Sequence, residues 1–136
     1  MTELHNYQTW FEQGLADYEL EKPAEALSCF QKAIEFKPDF IPAWIYLGIA
    51  LEQLQRYEDA LASYDQAIRW NREEADLWYN KGATLAKLHR YEEALACFER
   101  VLELEPNNAI AKTTRCLTLA TLDSRRPAQK LSKKGL

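Results

Sequence analysis

Apolar residues in the middle of the chain recur at helical spacing. Trp44, Leu47, Gly48 and Leu51 form one stripe, and Tyr57, Ala60, Leu61, Tyr64, Ala67 and Ile68 form another, the i, i+3, i+4 pattern of helices that each bury one face. The spacing predicts two helices of about thirteen residues with a short break near Leu54-Gln55-Arg56. The two stripes occur three times. A shift of 34 residues aligns Tyr7 to Phe40, Ile41 to Glu74 and Ala75 to Asn108, and the phrase RYEDALASYDQAI from Arg56 returns as RYEEALACFERVL from Arg90.

Large and small residues recur in fixed order. Trp10, Trp44 and Trp78 fall in register, followed at four residues by Gly14, Gly48 and Gly82; Ala26, Ala60 and Ala94 are followed at four residues by Phe30, Tyr64 and Phe98. A small residue lets a neighbouring helix approach, and the ring beside it fills the groove that remains. The three tryptophans are expected in the core. The breaks between paired helices fall near Glu21-Lys22-Pro23, Leu54-Gln55-Arg56 and Leu88-His89-Arg90. Between blocks, Lys37-Pro38-Asp39 and Glu105-Pro106-Asn107 end a helix and prepare the next, while Asn71-Arg72-Glu73-Glu74 lacks the proline and specifies its turn less sharply. A single helical hairpin leaves one apolar side bare, and stacking another hairpin covers it, so such a chain grows by repetition and needs an altered unit at its end.

The order Trp, Gly, Ala, Phe or Tyr, Ala and terminal Pro over 34 residues resembles the tetratricopeptide repeat (TPR) family. The resemblance covers residues 7–108 and implies an all-α fold, an α-solenoid of stacked antiparallel hairpins with a right-handed superhelix. Some positions depart from the pattern. Gln13 and Lys81 stand where Leu47 keeps the usual residue, Asp17 stands where the other copies have Leu51 and Leu85, and Val101 replaces Ala33 and Ala67. One domain is expected over residues 1–122, with repeats 7–40, 41–74 and 75–108. Residues 109–122 resemble the first helix of a decayed fourth repeat, with Lys112 in the Trp place and Cys116 in the Gly place, and are expected to cap the third hairpin. Residues 123–136, with Arg125, Arg126, Lys130, Lys133 and Lys134, are expected to be a basic, mobile tail. A weak helix around Ala128 and Leu131 is the alternative.

Composition narrows the function classes. Hydrophobic residues make up 47% and charged residues 28% of 136 residues, as in a folded, helix-rich protein. Residues 1–5 lack the basic and apolar regions of a signal peptide, and the near-apolar run 40–51 is too short to span a bilayer, so a cytoplasmic protein is expected. The three cysteines, with no C-x-x-C pair and no zinc-spaced His, predict reduced, half-buried thiols and neither disulfide nor metal. His5 and His89 lie far apart, the carboxylates are interspersed with Lys and Arg, and no Gly-rich phosphate loop follows a strand. No catalytic function and no cofactor are expected.

By the resemblance, the first helix of each hairpin lines a concave groove. Projection gives Gln8, Phe11, Glu12, Leu15, Tyr18 and Glu19 from the first repeat, Ile45, Tyr46, Ile49, Glu52 and Gln53 from the second, and Asp76, Tyr79, Asn80, Ala83 and Lys87 from the third. This lining is apolar and aromatic for a surface, which points to a partner-binding site. The family's clamp for heat-shock chaperone tails uses Lys and Asn from the first repeat, Asn from the second, and Lys and Arg from the third. Here the corresponding positions are Phe11, Leu15, Tyr46, Asp76 and Asn80, so such acidic tails are disfavoured. The expected partner is a protein segment, extended or amphipathic-helical, with apolar anchors and some positive charge. The expected function is a non-catalytic adaptor or assembly factor. The alternative is self-association through a poorly covered face near Ile110, Leu117 and Leu119, giving a homo-oligomer. Nucleic-acid binding is not expected, and membrane contact only weakly, through the basic tail.

Overall fold

The computed structural model describes residues 6–125. These form helices α1 (Tyr7–Glu19), α2 (Pro23–Phe36), α3 (Ile41–Gln53), α4 (Tyr57–Trp70), α5 (Ala75–Lys87), α6 (Tyr91–Leu104) and α7 (Ala109–Arg125), and no strand occurs among the described residues. Each 34-residue block starts at the first residue of a helix. The capping helix predicted to end at Leu122 continues to Arg125. The rest of the expected basic tail, with its alternative helix around Ala128 and Leu131, lies outside the described residues.

The chain divides into two compact units, one up to Glu73 and one from Glu74. In the N-terminal unit α1 packs on α2, α2 on α3 and α3 on α4; in the C-terminal unit α5 packs on α6 and α6 on α7.

All three hairpin turns use one device. Glu21, Gln55 and His89 take left-handed backbone at φ 57°, 59° and 60°. The next amide reaches back five residues, Lys22 N to Asp17 O at 2.9 Å, Arg56 N to Leu51 O at 2.8 Å and Arg90 N to Leu85 O at 2.9 Å, while the left-handed residue's own amide bonds the carbonyl three back. This paired closure satisfies carbonyls that a helix end leaves open, at a residue where glycine is the usual occupant. At the proline-free junction, the Asn71 side chain accepts from the Glu73 amide at 3.0 Å, so an Asx turn supplies the bend.

The glycines explain the repeat at atomic scale. A Cβ on Gly14 would stand 2.5 Å from the Phe30 ring, one on Gly48 2.5 Å from the Tyr64 ring, and one on Gly82 2.7 Å from the Phe98 ring. Each ring is fully buried, as are Ala26, Ala60 and Ala94. The tryptophans differ from expectation, since Trp10, Trp44 and Trp78 are only half-buried. Trp44 borders an open depression of about 420 Å³ with Ile34 and Leu47, and its indole N–H donates to Pro38 O at 2.7 Å. That bond ties α3 to the turn before it. Trp78 carries Lys81 at 5.6 Å and Arg100 at 6.0 Å from its ring centre, so two cations stand over the half-buried indole.

Asp17, at a position where the other repeats bury leucine, is half-buried and accepts from the Cys29 thiol at 3.5 Å. Burial first, and the Asp17 carboxylate second, push that thiol up to about 11. Cys29 and Cys97 are buried and Cys116 is exposed, rather than all three being half-buried.

Candidate partner-binding surface

In the N-terminal unit the groove positions of α1 and α3 converge. Phe11, Leu15, Tyr18, Tyr46 and Ile49 pack on a buried cluster that includes Phe30, Leu47, Leu51 and Tyr64, yet all five are only half-buried. Their rings touch edge to face, Phe11 to Tyr46 at 5.7 Å and Tyr18 to Tyr46 at 5.9 Å. Beneath them the Phe30 ring lies 5.8 Å from both Phe11 and Tyr46. Phe40, at the start of α3, contacts Phe11 at 5.1 Å. A buried ring thus supports half-open rings from two helices, which fixes their positions before any ligand arrives.

The charged rim of this surface is acidic. Glu12 and Glu19 on α1 are exposed. Glu52 on α3 is half-buried, and its carboxylate accepts from the Tyr64 phenol at 2.5 Å. Tyr64 takes the place held by Phe30 and Phe98 in the other repeats, and only the central repeat pairs it with a carboxylate. Ile45 is half-buried, while Gln8 and Gln53 are exposed.

In the C-terminal unit, Tyr79 packs on Phe98 at 5.5 Å between ring centres, and its hydroxyl meets the Thr114 hydroxyl on α7 at 3.2 Å. Asp76 and Lys87 are exposed, and Asn80 and Ala83 are half-buried. The groove lining expected from the sequence ends at α5. Ile110, Thr114 and Leu117 stand 34 residues after Asp76, Asn80 and Ala83, and Ile110 and Leu117 are 67% and 64% exposed. An open cleft of about 120 Å³ lies among Asp76, Tyr79, Asn108 and Ile110. Ile110 and Leu117 are the residues expected at the poorly covered self-association face, and the 34-residue register gives them, with Thr114, groove positions as well. Ile110 and Leu117 share one side of α7, whereas Leu119, two residues beyond Leu117, points the other way.

Few groups here are poised for chemistry. His89 occupies a left-handed turn position, and its Nδ1 lies 2.9 Å from the Tyr91 hydroxyl. Glu93 is held below the usual carboxylate range, chiefly by its hydrogen bonds from Arg90. Among the described residues no group of three or more His, Cys, Asp or Glu could hold a metal ion. No described helix is long and apolar enough to cross a membrane.

Paired helices in register, with half-open aromatic positions on the first helix of each pair, define a helical-repeat protein of the interaction-module class. Two family models, both described as tetratricopeptide repeat, match residues 11–73 and 75–108. The chain belongs to the tetratricopeptide repeat family. Comparison with curated proteins gives no match. Among solved structures, the first TPR domain of human RPAP3 is 28% identical with a TM-score of 0.81, over 88% of this chain and 94% of that one. The first TPR of Spaghetti (RPAP3) bound to the HSP90 peptide SRMEEVD is 27% identical with a TM-score of 0.81, over 86% and 93% of the two chains. MamA shares the fold with a TM-score of 0.84 at 21% identity, over 98% of this chain and 73% of that one.

Proposed function

We propose that this chain is a non-catalytic adaptor or assembly factor that captures a protein segment on the α1–α3 surface of its N-terminal unit. The observation that carries this reading is the half-open cluster of Phe11, Tyr18 and Tyr46, held from below by buried Phe30. Half-exposed rings on rigid helices give contact area at low entropic cost, which is what an apolar anchor requires. Ile110 and Leu117 on α7 offer aliphatic contacts in the C-terminal unit.

A domain similar to this one binds the acidic HSP90 peptide. In this chain the positions that resemble the family's carboxylate clamp hold Phe11, Leu15, Tyr46, Asp76 and Asn80, none of them a cation. That supports a partner with apolar anchors and basic flanks over an acidic tail. The test titrates two labelled probes by fluorescence anisotropy, the peptide SRMEEVD and an amphipathic Leu/Lys helix. The Leu/Lys probe is expected to bind at least about tenfold tighter, and Tyr46→Ala with Ile49→Ser to abolish its binding while circular dichroism stays helical. Tighter binding of SRMEEVD, or Leu/Lys binding untouched by the double substitution, would overturn the assignment.

A further inference from the structure

Charge is distributed unevenly along the chain. Residues 6–73 carry six Lys and Arg against twelve Asp and Glu, residues 74–125 carry seven against eight, and residues 126–136 carry four cations and no carboxylate. On the groove positions of α1 and α3 the charged residues are Glu12, Glu19 and Glu52, with no Lys or Arg. Two of those acids come from one helix and one from the other, with the rings of Phe11, Tyr18 and Tyr46 associated between the two helices. Glu52 is held by Tyr64, so one negative charge of the rim has a defined place.

The segment 126–136, RPAQKLSKKGL, has the complementary composition. Leu131 stands between Lys130 and Lys133-Lys134, and Leu136 supplies a second aliphatic side chain five residues on. An apolar side chain between cations matches rings between carboxylates.

We propose that residues 126–136 of a second copy of this chain occupy the α1–α3 surface, Leu131 against the aromatic cluster and the lysines against Glu12, Glu19 and Glu52. The inference rests on that surface being a binding site. Its contact joins two different patches, residues 126–136 of one copy and the groove of another, so it is heterologous and its assemblies lengthen unless the geometry closes a ring. The same segment then competes with any external partner, so self-assembly and capture oppose each other. Because the lysine pairs lie at an exposed rim, assembly weakens as salt rises.

The test compares sedimentation of the full chain with that of a chain ending at Arg125, which keeps all seven described helices. The full chain is expected to gain weight-average mass with concentration at about 50 mM salt and to lose the gain at about 300 mM; the shortened chain stays monomeric. A synthetic 126–136 peptide added to the shortened chain should bind, about tenfold more weakly once Glu12→Lys and Glu19→Lys are combined. It should lose binding again when Leu131 and Leu136 of the peptide are Ser. Equal association with and without residues 126–136 would overturn the proposal. So would indifference of the peptide to the charge reversals, or a full chain that stays monomeric while the peptide binds. If the peptide does not bind but the Leu/Lys probe does, this inference fails and the groove assignment stands.

Discussion

Gly48→Ala tests the packing that makes the chain repeat. A Cβ at this position would lie 2.5, 2.8 and 2.9 Å from Cε1, Cζ and Cδ1 of Tyr64, inside contact distance for all three. Tyr64 is fully buried, and its hydroxyl is tied to Glu52 at 2.5 Å, so the ring cannot slide away without losing that bond. Overpacking of this kind costs about 1 to 3 kcal/mol, and three contacts on a tethered ring place this case near the upper end. Replacing glycine by alanine inside a helix offsets about 1 kcal/mol. The net loss expected is about 2 kcal/mol, read from urea unfolding followed at the helical circular dichroism band. Gly82→Ala should cost less, because its Cβ meets Phe98 Cε1 at 2.7 Å and its next neighbours only at 3.0 Å. Combining Gly48→Ala with Tyr64→Leu separates the clash from other effects. In the leucine background alanine should become neutral or favourable, a coupling of about 2 to 3 kcal/mol. If Gly48→Ala alone stabilises the protein, as alanine does at an open helical site, the close-approach account of the repeat is wrong.

Three further outcomes follow from the turns and the thiols. Gln55→Gly removes the cost of a side chain at φ 59°, and is expected to raise stability by about 1 kcal/mol in the same unfolding assay; a loss would show that Gln55 contributes more by contact than by conformation. Near pH 8, Cys116 should be alkylated by iodoacetamide well before Cys29, because Cys116 is exposed while the buried Cys29 thiol is pushed up to about 11. The raised value favours the protonated thiol in the folded state, so its contribution is complete below pH 9, the ordinary thiol value, and declines as pH climbs from there towards about 11. Mass mapping of the alkylated cysteines and urea midpoints across that range check both statements; equal labelling of the two cysteines would refute the burial account.

The half-open rings of the proposed docking surface were legible beforehand because the repeat carries position with it. Once Trp44, Gly48 and Tyr64 are in register, spacing separates the core positions of each first helix from the rest, and the resemblance to the repeat family, which puts the groove on that helix, then names Phe11, Tyr18 and Tyr46. The same register, carried one step further, reaches Ile110, Thr114 and Leu117. Ile110 and Leu117 are expected on a self-association face rather than among the groove positions, because Lys112 and Cys116, in the Trp and Gly places, mark the helix as a decayed unit, and decay on its core side says nothing about its other side.

The period of 34, the small residues opposite large ones and the breaks at each hairpin are properties of the amino-acid order, since helical spacing converts sequence distance directly into a face. Depth is not such a property. Whether Trp44 lies sealed or half-open, whether Asp17 finds a thiol, and whether the Tyr64 hydroxyl reaches Glu52 depend on how far two helices approach and what stands on the second. Those distances are set only when side chains from separate helices compete for the same volume, and that competition decided which aromatic rings became core and which stayed half-exposed.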